Sequence, residues 1–127
     1  KINFHCDSSK KMIFGDRKRI CQVIENLLDN AFKFTDQGTI NIHLKNGETK
    51  NNCVISIEDS GKGIDHKIIS KLFTKFTTKS FQGTGLGLFI SKSIIEAHGG
   101  KIWGENNKNG KGAKFSFSLP LTNDFEN

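Results

Sequence analysis

Apolar positions recur along residues 17–34 with the spacing of a helix. Ile20, Val23, Ile24, Leu27, Ala31 and Phe34 fall on one face at about 100° per residue. Asp16, after Gly15, stands where an N-cap is wanted, and the pattern stops before Asp36-Gln37-Gly38. Period two replaces it in Thr39–Leu44 and again in Val54–Glu58. The polar stretch from Asn46-Gly47 to Asn51-Asn52 joins these two segments into a hairpin. Lys1–His5 and Lys11–Phe14 are short strand candidates. A short helix is expected over about Asp65–Leu72, and a longer amphipathic one runs from the glycine-rich Gly83–Leu88 to about His98, where Gly99-Gly100 ends it. Lys101–Asn106 and Ala113–Leu119 form a last hairpin around Asn109-Gly110, stopped by Pro120. The order ββαββααββ predicts an α+β fold, a two-layer α/β sandwich: a mixed, mostly antiparallel sheet covered on one face by three helices. Residues 73–83 hold many Lys, Thr and Phe and no clean period. Long connections of this kind are often lids or binding loops.

Composition narrows the class. A length of 127 residues suits one domain, residues 1–127, with a core of its own. With 35% hydrophobic and 25% charged residues the chain is globular and not disordered. No apolar run approaches the roughly 18 residues of a membrane span, and Lys1-Ile2-Asn3-Phe4 carries no signal-like pattern. The expectation is an excised cytoplasmic domain, whose parent protein can still be membrane-anchored. The net charge of +6 fits either a solvated basic face or an anionic ligand. Lys71, Lys75 and Lys79 recur every four residues, but there is no dense Lys/Arg run with interleaved aromatics, so nucleic acid is not the expected partner. Cys6, Cys21 and Cys53 form no CxxC pair, and His5, His43, His66 and His98 lack metal-like spacing. Three free, buried thiols in a reducing compartment are expected.

The chemistry lies on the edge of the first helix. Asn26, Asn30 and Lys33 fall within roughly 60° of one another and border its apolar face. An amide at a core edge must find a partner or cost about 1–3 kcal/mol. Two amides and an ammonium toward one groove suggest a polar ligand that carries oxygens and a metal. Two glycine-rich loops, Gly61-Lys62-Gly63 and Gly83-Thr84-Gly85-Leu86-Gly87, could bring backbone N–H groups to anionic oxygens, and the second opens a helix, where phosphate is favoured. A Walker loop is excluded because Gly-Lys-Ser/Thr is absent. A dinucleotide fingerprint is excluded because position 88 is leucine, and protein-kinase signatures are missing.

Taken together these segments resemble the catalytic ATP-binding domain of sensor histidine kinases, in the ATPase superfamily shared with gyrase, mismatch-repair ATPases and the large heat-shock chaperone. Asn26–Phe34 is similar to the N box, Asp59–Ile64 to the G1 box, Leu72–Phe76 to the F box and Gly83–Leu88 to the G2 box. His98–Trp103 and Gly110–Phe115 fit the family's C-terminal hairpin. The boxes occur in order over nearly the whole chain.

The resemblance implies roles. Asn30 would bind Mg²⁺, Asn26 would bond phosphate or metal-bound water, Lys33 would neutralise phosphate, and Phe34 would lie near the adenine or ribose. Asp59 would accept from the adenine amine, with Gly61, Gly63 and Ile64 passing the base. Phe73 would open an ATP lid over residues 73–83, and Gly83, Thr84, Gly85, Leu86, Gly87 and Leu88 would line the phosphates. Many relatives carry Thr or Ser where this chain has Ala113. The hydrolytic branches carry a glutamate where this chain has Asn26, so weak hydrolysis is expected. The implied function is transfer of the γ-phosphoryl of ATP to a histidine on a dimerisation domain absent from these 127 residues. That domain and a response regulator are the implied partners of an otherwise monomeric unit. The alternatives are a non-catalytic ATP-sensing module, a nucleic-acid-binding domain and a hydrolytic superfamily member.

Overall fold

The computed structural model describes residues 2–6, 13, 15–35, 37–47, 51–74, 86–108 and 110–121. Along these run β1 (Ile2–Cys6), α1 (Arg17–Phe34), β2 (Ile40–Asn46), β3 (Asn52–Asp59), a 3-10 turn (Ile69–Lys71), α2 (Gly87–Ala97), β4 (Ile102–Asn106) and β5 (Ala113–Pro120). The strand expected at Lys11–Phe14 and the lid from Lys75 through Gly83, Thr84 and Gly85 lie outside the described residues, as does the Phe34 side chain.

Local sequence explains the helix ends. The Asp16 carboxylate accepts from the N–H groups of Lys18 and Arg19 at 3.0 and 3.3 Å and so starts α1. At the end of α2, Gly99 has φ +81°, its N–H donates to the Glu96 carbonyl, and the Gly100 N–H reaches back to the Ile95 carbonyl at 2.9 Å.

Five strands make one sheet in the order β1-β2-β3-β5-β4. β1 pairs parallel with β2 and every other pair is antiparallel, so the sheet is mixed and mostly antiparallel, as expected. Period two sorts the faces. Cys53 and Ile57 of β3 and Ala113, Phe115, Phe117 and Leu119 of β5 are buried with Ile40 of β2. Val23 and Leu27 of α1 and Ile94 and Ile95 of α2 close the same cluster, so both helices lie on this face. The opposite face carries Asn41, His43, Glu58 and Lys114.

Two expectations are corrected. Three covering helices were expected, whereas the described residues hold two α-helices and a 3-10 turn. In the segment expected as helix from Asp65 to Leu72, Asp65 bonds the Lys67 N–H, and one isolated turn gains too few bonds to offset helix nucleation. Cys21 is exposed and not buried, because it follows Ile20 by one residue and is rotated about 100° toward solvent.

Candidate nucleotide site

Asp59 ends β3, is 3% exposed, and is one of the few buried polar residues. Its Oδ1 accepts from the Gly61 N–H at 2.9 Å and the Ala113 N–H at 3.3 Å. Both bonds fall on one oxygen, which leaves Oδ2 for another donor. The loop that follows is fastened to the β4–β5 hairpin. Asn106 Oδ1 accepts from the Ile64 N–H at 2.7 Å, and its Nδ2 donates to the Ile64 carbonyl at 3.0 Å. Asn107 Nδ2 donates to the carbonyls of Asp59 at 2.9 Å and Lys111 at 2.8 Å. Gly63 has φ +82°, which a side chain rarely adopts. Gly112 is required more strictly: with φ +81°, a Cβ there would stand 1.9 Å from the Asp59 carbonyl oxygen.

The second part of the site is where α1 meets α2. Asn26 Nδ2 lies 3.3 Å from the Gly87 carbonyl and 3.1 Å from Ser91 Oγ. Asn30 follows one turn later and is half-buried, and Lys33 is exposed in the last turn. Leu86 occupies the N-cap of α2, and its own apolar side chain makes no cap hydrogen bond. Such a helix start is suited to an anion. Among the described residues, a Cβ at Gly87 would meet only Asn26 Cγ, at 3.9 Å, so their packing does not demand glycine there.

The structure thus brings Asn26 to Gly87, Asp59 to Gly61, and Gly63 and Ile64 to Asn106. Ile64, Phe73 and Leu88 pack against the core, and the Phe73 ring meets the Phe115 ring edge-on at 6.4 Å. Asn106, Asn107 and Ser91 were not singled out in the sequence. Their only local signals are an Asn-Asn pair at a strand end and a serine four residues from both Gly87 and Ile95.

Residues 15–123 match the family model described as histidine kinase-, DNA gyrase B-, and HSP90-like ATPase. The chain belongs to this family. Among its relatives, the sensor protein KdpD of Clostridium acetobutylicum is 46% identical over 126 residues, covering 94% of this chain and 14% of KdpD. Among solved structures, the catalytic domain of histidine kinase ThkA superposes with a TM-score of 0.82 at 40% identity, covering 94% of this chain and 77% of the other. Full-length ShkA in complex with AMPPNP superposes with a TM-score of 0.84 at 28% identity, over 96% of this chain and 26% of that one. ThkA is also solved in complex with the response regulator TrrA, with a TM-score of 0.77 at 35% identity, over 95% of this chain and 34% of that one. This chain is thus a histidine kinase-type, ATP-binding catalytic domain, and it spans 11–29% of the length of its curated relatives. Protein-histidine kinase is the activity for which those relatives are named.

Proposed function

We propose that this domain binds ATP with Mg²⁺ and donates the γ-phosphoryl group to a histidine supplied by a dimerisation domain of the same full-length protein. A response regulator would then be the downstream partner, as in the ThkA complex. The observation that carries the reading is the amide at position 26. Asn26 fastens α1 to the first turn of α2, where hydrolytic relatives would hold a glutamate, and Glu25 and Asp29 are exposed. An amide cannot take a proton from water at neutral pH, so water is a poor nucleophile here and an imidazole is the better one.

Asp59 Oδ2 would accept from the adenine amine, and the N-terminus of α2 would receive phosphate. Among the described residues no three His, Cys, Asp or Glu side chains gather to hold a metal. The family resemblance gives the cation to Asn30, with phosphate and water as its other ligands, which suits Mg²⁺. Bound there, the ion would neutralise phosphate charge. Lys33, exposed in the last turn of α1, would add a positive charge. An imidazole nitrogen attacks the γ-phosphorus and a P–N bond forms. The bond to the β,γ-bridging oxygen breaks, ADP leaves with the electron pair, and the imidazole proton passes to solvent. Catalysis on this chain is positioning and charge stabilisation.

The test mixes this domain with the histidine-bearing module and labelled ATP. Asn30→Ala is expected to lower transfer by about a hundredfold or more with the fold retained. Undiminished transfer by Asn30→Ala refutes the assignment, and nucleotide binding without any transfer by the wild type favours a sensing module.

A further inference from the structure

Ser91 is fully buried on the inward stripe of α2, four residues from Gly87 and four from Ile95. A hydroxyl on such a stripe needs a partner, and it has Asn26 Nδ2 at 3.1 Å. The same Nδ2 lies 3.3 Å from the Gly87 carbonyl. A carbonyl only accepts, so the NH₂ of Asn26 must face α2. Turned over, the amide would set Oδ1 against the Gly87 oxygen and keep only the Ser91 hydroxyl as a partner, so the carbonyl chooses the face and the hydroxyl holds the second N–H. Both N–H bonds of Asn26 are thereby used, and the atom left for a ligand is Oδ1, an acceptor. Among the described residues, a Cβ on Gly87 would touch only Asn26 Cγ, so they leave room beside this amide.

We infer that Ser91 is a positioning residue for the site: it holds the Asn26 amide with its donor side turned into the α1–α2 contact, so that Asn26 offers an acceptor to metal-bound water. The inference rests on the ATP·Mg²⁺ reading above and sharpens it. Phosphate oxygens are acceptors at neutral pH and cannot pair with Oδ1. Water on a magnesium ion is a polarised donor and can. Without the Ser91 hydroxyl the amide keeps one bond, to Gly87, and is free to tilt.

The test has two readouts. In nucleotide-free protein, the Asn26 side-chain N–H signals should exchange slowly with solvent in the wild type and faster in Ser91→Ala. Calorimetry then compares AMPPNP affinity in magnesium and in EDTA. Ser91→Ala is expected to lose about fivefold to tenfold of the magnesium-dependent gain, while its affinity in EDTA stays within about twofold of wild type. Ser93→Ala serves as control: Ser93 is exposed and bonds only the Phe89 carbonyl of its own helix, so both readouts should match wild type. Should Ser91→Ala fail to fold, Ser91→Cys, which fills the space with a poor acceptor, carries the same expectation. An unchanged magnesium gain in the variant, an equal loss with and without magnesium, or unchanged exchange at Asn26 overturns the inference. A wild type that gains nothing from magnesium overturns the functional reading too, and is told apart because wild type and variant then fail together.

Discussion

Asp59 is held from one side only. Its Oδ1 takes two backbone N–H groups, from Gly61 and Ala113, and this orients the carboxylate before any ligand arrives. The bond from position 113 comes from the backbone, so the alanine found there keeps it although it has no hydroxyl. Ser56 and Ser116 pose a different residue-scale problem, because both are buried on the sheet face away from the helices, with exposures of 2% and 1%. Their Oγ atoms lie 2.8 Å apart and satisfy each other. Removing one hydroxyl strands its partner, so Ser56→Ala should cost about 1–3 kcal/mol. The double variant Ser56→Ala/Ser116→Ala should cost less than the sum of the two single changes. Denaturant unfolding of the four proteins measures this coupling, and strict additivity would refute it.

At the scale of elements, α1 and α2 run antiparallel and are tied at both ends. Asn26 joins Gly87 and Ser91 at the start of α2. At its other end the Asp16 N–H donates to His98 Nε2 at 2.9 Å. Nε2 therefore carries no proton, and Nδ1–H donates to the Ile94 carbonyl at 2.8 Å. The imidazole thus bridges the N-cap of one helix and the C-cap of the other. The β4–β5 hairpin is tied to the end of β3 in the same spirit, by Asn106, Asn107 and the close pass of Gly112. Gly112→Ala would force a Cβ to 1.9 Å from the Asp59 carbonyl. It should destabilise by more than about 1 kcal/mol and also weaken nucleotide binding, because it displaces Asp59, the residue proposed to accept from adenine. Gly110→Ala is the comparator: φ is +82° there too, but a Cβ would meet nothing within 4 Å. It should show only the backbone penalty, about 1–2 kcal/mol, with affinity unchanged. Thermal melts and calorimetry on both variants separate contact from conformation.

For the whole molecule, one sheet and two helices share a single core, and the candidate site residues lie at the end of β3 and where α1 meets the start of α2. The outer strands of the sheet, β1 and β4, are five residues each, and short edges resist pairing with another copy. Among the described residues, the exposed large apolar ones, Ile2, Phe32 and Trp103, sit on three different elements. A monomer is therefore expected for the isolated domain, and sedimentation analysis that finds a stable dimer would contradict it.

Wherever the deciding interaction is local, sequence determined the outcome. The period of α1 and its Asp16 cap were legible, as were the hairpins, whose alternation sets the buried face, and the Gly99-Gly100 stop. The candidate residues Asn26, Asn30, Lys33 and Asp59 were singled out from segments with strong periodicity or glycine signals, and the structure gives Asn26 and Asp59 buried-edge partners. The length of the middle helix was not legible, because one turn is stabilised by what it packs on and not by its own bonds. Tertiary structure alone decided the orientation of the site. Asn26 finds Ser91 across 65 residues, Ile64 finds Asn106 across 42, and Asp59 finds Asn107 across 48. A side-chain amide has two different faces, and only a partner brought from far along the chain fixes which face is turned toward the ligand.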